Sequence, residues 1–215
     1  VGTQGSLALD THWLIGLEDP SEPGSSDLER LIAASGAYWN RVEALQLPLR
    51  AIVGTAQPGM EGLLGGFGWS STRGTFAADL SALRAGERAA FSPDPLAALI
   101  ENARQLRGDA QDTAFHTRAG VRLQNIVVVD RESPAFSGEA CGVQQVVAGS
   151  CAHTPKQRKV LERQWSSVLS SNEQLIVIGG DGETCGEHHT ASYNHIAAST
   201  GGMIASRCDS DLEWI

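Results

Sequence analysis

The chain has 215 residues, of which 41% are hydrophobic, and this size and composition suit one α/β domain with a substantial core. Its formal net charge of -9 argues against nucleic acid and anionic membranes as partners, because both are negatively charged. No apolar run reaches the roughly 18 residues that a membrane-spanning helix needs, so we expect no membrane span. We expect a single domain over residues 1–215. The first residues lack a signal-peptide pattern, which favours a processed end or a piece of a longer chain.

The first half of the sequence alternates short apolar runs with amphipathic segments. Residues 13–17 predict a buried strand, and residues 27–45 carry apolar side chains at helical spacing. Residues 49–55 predict the next strand, and the glycine-rich stretch 58–74 predicts a loop or a short irregular hairpin. A short helix is expected over 77–85. A better one begins at Ser92-Pro93-Asp94-Pro95 and continues to residue 106, since proline is favourable in a first helical turn.

The second half continues the alternation. Residues 121–130 form the clearest central strand, apolar towards its end and closed by Asp130, and residues 156–169 predict an amphipathic helix. An apolar strand over 174–180, a short helix over 193–200 and a last short strand over 208–211 follow. Strands that alternate with helices predict a doubly wound, mostly parallel sheet with helices on both faces, which is an α/β fold.

Acidic side chains follow two of the predicted strands. Asp19 comes just after the first strand, and Asp130 ends the central one. In an open parallel sheet, ligands bind at the carboxyl ends of the strands, so two carboxylates there would make an anionic pocket. Carboxylate and hydroxyl oxygens suit a hard divalent cation such as Mg²⁺ or Ca²⁺.

The last third of the sequence has a distinctive order of elements. The strand over 174–180 leads through a loop with Cys185 to the helix, which Gly201-Gly202 ends, and Cys208-Asp209-Ser210-Asp211 follows as the last strand. This order resembles the end of a von Willebrand factor A (VWA) domain. Residues 51–55 resemble the second strand of a bacterial, cysteine-containing VWA branch, and residues 95–99 resemble the start of the helix after it. The resemblance covers residues 14–211 and implies a doubly wound sheet with one antiparallel edge strand.

The VWA family carries a metal-ion-dependent adhesion site, and part of its pattern is present here. Asp19 and Ser21 match the first two positions of the family's Asp-x-Ser-x-Ser element, but the third position is Pro23, which offers no side-chain oxygen. Asp130 matches the aspartate after the fourth family strand. The remaining position belongs to a threonine, for which the candidates are Thr72, Thr75 and Ser92. The resemblance therefore implies either a weak site for Mg²⁺, Mn²⁺ or Ca²⁺ or a degenerate one whose acids cap loops.

All four cysteines lie in the second half of the chain. They suggest two local disulfides, Cys141–Cys151 around a polar loop and Cys185–Cys208 around the last helix. Such bonds indicate an oxidising compartment, so we expect an extracellular, cell-surface or periplasmic protein. The alternative is four buried thiols in a cytosolic protein.

The remaining signals concern function. No phosphate-binding glycine motif and no hydrolase elbow occurs, so we do not expect an enzyme. Trp69, in the glycine-rich loop, is either an exposed anchor for a protein partner or a side chain packed over the sheet edge. The VWA resemblance implies an exported binding module for protein–protein interaction or adhesion. The alternatives are a structural subunit of an extracellular assembly without a working metal site, and an enzyme on a doubly wound fold.

Overall fold

A computed structural model describes residues 8–16, 26–55, 68–84, 95–109, 116–129, 154–168, 173–179 and 191–206. Within them, five strands form one sheet whose neighbouring strands are all parallel, in the order β2-β1-β3-β4-β5. The strands are β1 (Leu9–Gly16), β2 (Leu49–Thr55), β3 (Arg122–Val129), β4 (Glu173–Gly179) and β5 (Met203–Ser206). This confirms the predicted doubly wound α/β fold.

Helices cover both faces of the sheet. They are α1 (Ser26–Ala44), α2 (Arg73–Arg84), α3 (Pro95–Arg104), α4 (Pro155–Val168) and α5 (Ala191–Ser199), and a π-helical turn (Gln105–Asp109) continues α3. Side chains of α1 and α2 pack on one face, those of α3 and α5 pack on the other, and α4 contacts both α3 and α5. No helix among these described residues is long and apolar enough to cross a membrane.

The largest part of the core lies under α1 and α2. Trp13 of β1 is fully buried there, and its ring lies 5.6 Å from Tyr38 and 5.3 Å from Phe76, measured between ring centroids. The ring is edge-on to Tyr38 and tilted relative to Phe76, arrangements that the aromatic quadrupole favours. Because Tyr38 belongs to α1 and Phe76 to α2, Trp13 packs both helices against β1.

Helix starts follow from local hydrogen bonding. Thr72 Oγ1 accepts a bond of 3.3 Å from the backbone N–H of Thr75, so α2 begins earlier than the apolar pattern predicts. Thr154 and Gln157 bond reciprocally at the start of α4, where the Thr154 hydroxyl accepts from the Gln157 N–H and the Gln157 carbonyl accepts from the Thr154 N–H. This is a capping box, and Pro155 in the first helical turn reinforces it.

Two strand boundaries differ from the sequence-based expectation. β1 begins at Leu9 rather than at residue 13, because the polar residues before Trp13 join the sheet and find partners there. The last described strand is Met203–Ser206, since the apolar run after the glycine pair takes the places beside Ile176, Val177 and Ile178. The strand expected over 208–211 lies outside the described residues. Antiparallel pairing at the β2 edge is seen as a single bridge between Ala51 and Ser70.

The position of Trp13 generates the first prediction. Replacing Trp13 with alanine should lower the free energy of unfolding by about 3–5 kcal/mol, because it removes the contacts that α1 and α2 share and leaves a cavity. Urea denaturation measures this loss. Leu45→Ala is the control, since Leu45 is 68% exposed and should change the value by less than about 0.5 kcal/mol. Equal losses in the two variants would contradict this account of the core.

Candidate functional site

The carboxyl edge of the sheet offers the crevice in which doubly wound folds bind ligands. β1 lies between β2 and β3 in the sheet. The chain passes from β1 to β2 on one side of it, and then adds β3, β4 and β5 on the other side. Ligands bind where the order reverses in this way, which here is between β1 and β3. The two strands run in register to their ends, and Gly16 pairs with Val129.

The start of α3 lies at the same place. A Cβ on Gly16 would come within 2.6 Å of the Pro95 Cβ and 3.3 Å of the Val129 Cγ1, so only glycine allows this approach. Pro95 is the first residue of α3. Three chain ends therefore lie close together: the end of β1, the end of β3 and the beginning of α3. The segments after β1 and β3 begin there, and the segment before α3 ends there.

The sequence assigned its candidate metal ligands to those segments. Asp19 and Ser21 follow Gly16 in the chain, and Asp130 follows Val129 directly; all three lie outside the described residues. Ser92, which precedes Pro95, also lies outside them. Within the residues that are described, no group of three or more His, Cys, Asp and Glu side chains could hold a metal ion. The structure thus describes the strand ends that precede Asp19 and Asp130 in the chain, and the ligand assignment itself stays a prediction.

Thr72 and Thr75 lie at the opposite edge. The α1 helix leaves the carboxyl end of β1 and returns to the start of β2, and near its end Asn40 accepts a hydrogen bond of 3.3 Å from Arg73. The start of α2 is therefore beside the amino ends of the strands. There the two threonines cap the helix, with their hydroxyl oxygens 3.0 Å apart. Of the three candidates for the missing hydroxyl ligand, Ser92 is the one whose chain neighbour Pro95 reaches the carboxyl edge.

Trp69 also lies towards the amino edge. It is half-buried against a small apolar cluster of Ile52, Leu106 and Leu123, and the Arg50 guanidinium carbon sits 4.4 Å from its ring centroid. Arg50 pairs in register with Asp10, which is six positions before Gly16 on β1, so the Arg50 backbone is roughly 20 Å from the strand ends at about 3.3 Å per residue. The role of Trp69 in partner binding remains a prediction, and Trp69 lies away from the carboxyl ends of β1 and β3.

A buried carboxylate organises this amino edge. Asp10 has a fully buried side chain, and Arg50 donates to it from Nε at 3.2 Å and from a terminal nitrogen at 2.7 Å. Arg118 adds bonds of 2.8 Å from its backbone N–H and 2.8 Å from its Nε. Burial alone would raise the pKa of Asp10, but the bonds from Arg50 and Arg118 outweigh it and hold the pKa below its ordinary value.

The sequence pattern did not predict this cluster of Asp10, Arg50 and Arg118. A signal for it exists, since Arg50 is the second residue of a mostly apolar strand and a charge buried in a sheet requires an opposite charge. The four cysteines, Cys141, Cys151, Cys185 and Cys208, lie outside the described residues, so their pairing stays a prediction.

The cluster generates the second prediction. Asp10→Asn should lower the free energy of unfolding at pH 7 by about 3 kcal/mol or more, because it leaves two arginines without their shared counter-charge. Because the pKa of Asp10 is lowered in the folded state, its stabilisation is present above the unfolded pKa and is lost as pH falls through the folded one. The variant should therefore lose less stability than wild type below about pH 4.

Urea denaturation at pH 7 and at acidic pH measures both effects. Glu43→Gln is the control, since Glu43 is exposed near the end of α1. A variant as stable as this control at neutral pH would show that the two arginines do not depend on Asp10.

Comparisons with known proteins give structural likeness only. No protein-family model matches the chain, and no curated protein matches its sequence. Similar solved structures include proximal thread matrix protein 1 from the mussel byssus in crystal form 2, with a TM-score of 0.49, 9% identity and coverage of 97% of this chain and 46% of that one. A second structure of the same mussel protein is described as having a zinc-occupied MIDAS motif. Its TM-score is 0.44 and its identity 12%, with coverage of 93% of this chain and 41% of that one.

The pilus adhesin SpaC from Lactobacillus rhamnosus GG is also similar, with a TM-score of 0.43, 12% identity and coverage of 90% of this chain and 30% of that one. The chain spans less than half the length of each of these proteins.

Proposed function

We propose that this protein is a binding module that holds a divalent cation at the carboxyl edge between β1 and β3 and captures a protein partner there. When bound, the cation supplies an open coordination position for a carboxylate oxygen of the partner. The observation that carries the proposal is the pairing of Gly16 with Val129 at the ends of two adjacent strands. Neighbouring strands lie about 4.8 Å apart, so the segments that carry Asp19 and Asp130 begin side by side.

The chemistry of these segments suits a hard cation. Asp19 and Asp130 supply carboxylates, Ser21 supplies a hydroxyl, and Ser92 precedes the helix that begins at the same edge. Mg²⁺, Mn²⁺ and Ca²⁺ prefer such oxygen ligands, and water completes their coordination. Because Pro23 offers no side-chain oxygen, we expect weaker binding than a complete ligand set would give.

A binding role is also favoured over an enzymatic one. Burial lowers the pKa of His12 to about 4, against the opposing effect of its bond to Asn125, and a shift of this size makes a residue a candidate for catalysis. The His12 side chain is nevertheless fully buried, and both of its ring nitrogens already have hydrogen-bond partners. A substrate in solution therefore has no route to it, which supports a non-enzymatic module.

The proposed setting is outside the cell. Two disulfides, Cys141–Cys151 and Cys185–Cys208, would require an oxidising compartment, and we propose an exported or surface-attached protein on that ground. Peptide mapping without reduction tests the two pairs, and four free thiols would contradict this setting.

The second candidate is a structural subunit of an extracellular assembly. Met203 and Ile204 are 46% and 51% exposed on β5, which ends the sheet among the described residues. The free side of such a strand can add a neighbouring strand. Sedimentation over a range of concentrations tests this reading. Association that Ile204→Lys abolishes would favour it, and a monomer at all concentrations would exclude it.

Thermal unfolding tests the cation site. Binding to the folded state alone stabilises by about 2.7 kcal/mol at a ligand concentration of 100 Kd. For a chain of this length, each kcal/mol raises the melting temperature by about 2–4 °C. We expect Mg²⁺, Mn²⁺ or Ca²⁺ to raise the melting temperature after EDTA treatment, and we expect Asp19→Ala and Asp130→Ala each to lose most of the shift.

Glu43→Ala is the matched control, because it removes an exposed carboxylate at the opposite edge of the sheet and should keep the full shift. A shift that survives in both aspartate variants would place the ion elsewhere. The absence of any shift in wild type would contradict the cation site and leave partner binding to be tested directly.

A further inference from the structure

A row of buried polar side chains crosses the sheet on the face that α3 and the π-helical turn cover. The His12 Nδ1 lies 3.1 Å from the Asn125 Oδ1, and the Asn125 Nδ2 donates to Glu173 at 3.2 Å. The Nε of Arg107, in the π-helical turn, lies 3.2 Å from the other Glu173 oxygen and forms an ion pair with it. From above, the Asn102 Nδ2 of α3 lies 3.2 Å from the His12 Nε2. These contacts link β1, β3, β4, α3 and the turn.

The carboxylate fixes the orientation of every group in the row. Ionised Glu173 accepts hydrogen bonds only, so Asn125 turns its Nδ2 towards it and its Oδ1 towards His12. The His12 Nδ1 must then carry a proton, and in the neutral ring the Nε2 is an acceptor. Asn102 accordingly presents its Nδ2 to that nitrogen.

One atom is left over. The Asn102 Oδ1 is buried and has no hydrogen-bond partner among the described residues, whereas a buried amide oxygen normally has one. The neutral ring forces this arrangement, because turning the amide would place Oδ1 against the Nε2 lone pair. The unpartnered oxygen is therefore held beside the one position on His12 that can take up another proton.

We propose that His12 and Asn102 form a proton-operated latch that fastens α3 and the π-helical turn to the sheet at neutral pH and loosens them in acid. A proton added at Nε2 turns that nitrogen from an acceptor into a donor, which conflicts with the Nδ2–H groups of Asn102. Rotation of the amide by about 180° relieves the conflict, because the Oδ1 then accepts the new N–H. At the contact itself the two states differ by one proton and one amide orientation, and the acid state also has a more loosely packed α3.

The surroundings make the protonated state costly. Besides Glu173 and Arg107, the charged or titratable groups with described side chains on this side of the sheet include Asp10, Arg50, His116 and Arg118 towards the amino edge. They also include Tyr193 and His195 of α5 and Glu162 of α4. Asp10 is held by Arg50 and Arg118, and Glu173 is held by Arg107, so no carboxylate touches the His12 ring. Burial accordingly keeps the pKa of His12 low, at about 4, although its bond to Asn125 acts in the opposite direction.

Loosening of α3 follows from this cost. An imidazolium gains most from water, and water reaches His12 only if the helix that carries Asn102 moves away from the sheet. Pro95, the first residue of that helix, packs against Gly16, so the movement extends to the carboxyl edge. The latch does not depend on whether a cation or a partner binds there.

The pH dependence of stability tests the latch. A folded-state pKa below the unfolded value of about 6.5 means that stability is complete above that value and is lost as pH falls towards the folded one. Between about pH 7.5 and pH 5, the folding equilibrium constant of wild type should fall roughly 30-fold more than that of His12→Gln. His195→Gln is the matched control, since His195 has a largely exposed side chain, and it should follow wild type.

Amide hydrogen exchange, corrected for the intrinsic effect of pH, locates the change. In wild type, acid should speed exchange in α3 and the π-helical turn more than in α1, and in His12→Gln the two regions should respond alike. Asn102→Asp gives a second test, because a carboxylate at this position accepts the Nε2 proton and should raise the pKa of His12 seen by NMR. A His12→Gln variant with the same pH slope as wild type, or unchanged α3 exchange in acid, would overturn the proposal.

Discussion

The architecture depends on the burial of β1 on both sides. This strand lies between β2 and β3, and its residues from Asp10 to Gly16 are buried, so each polar group on it must be satisfied by another element. Asp10 takes arginines from β2 and from the segment before β3, while His12 takes amides from β3 and α3. The buried polar side chains of β1 need hydrogen-bond partners at defined positions. This need fixes the positions of the neighbouring elements more narrowly than apolar packing could, because apolar packing is not directional.

The same strand connects the two faces of the sheet. Trp13 points towards α1 and α2, whereas Leu14 joins the apolar cluster under α3 and α5. Alternation along β1 therefore puts an aromatic core on one side and a mixed polar and apolar layer on the other. A slip of one residue in its register with β3 would exchange these sets and bury the Asp10 and His12 side chains against the wrong helices. The polar residues of β1 are consequently a strong determinant of register.

The sequence predicted the alternation of elements because apolar periodicity depends on neighbouring residues only. The strand over 49–55 and the helix over 27–45 are found within a residue of their predicted bounds. The polar start of β1 could not be predicted this way, since the partners of Asp10 stand 40 and 108 positions away along the chain and those of His12 stand 90 and 113 positions away. For the candidate site, strand ends and resemblance predicted the edge, but only the fold reveals that Gly16, Val129 and Pro95 meet there.

A buried polar row under α3 also has an energetic consequence. Apolar residues of similar volume would hold a helix at least as firmly, because a buried hydrogen-bonded network must first offset the desolvation of its members. What the row adds is dependence on the protonation of a single imidazole, which apolar packing lacks. The helix that carries Asn102 begins at Pro95, which packs against Gly16. Gly16 and Val129 end the two strands that precede Asp19 and Asp130 in the chain. The proposed effect of pH on α3 therefore acts at the boundary of the proposed binding edge. It does not act on α1 and α2, which cover the other face of the sheet.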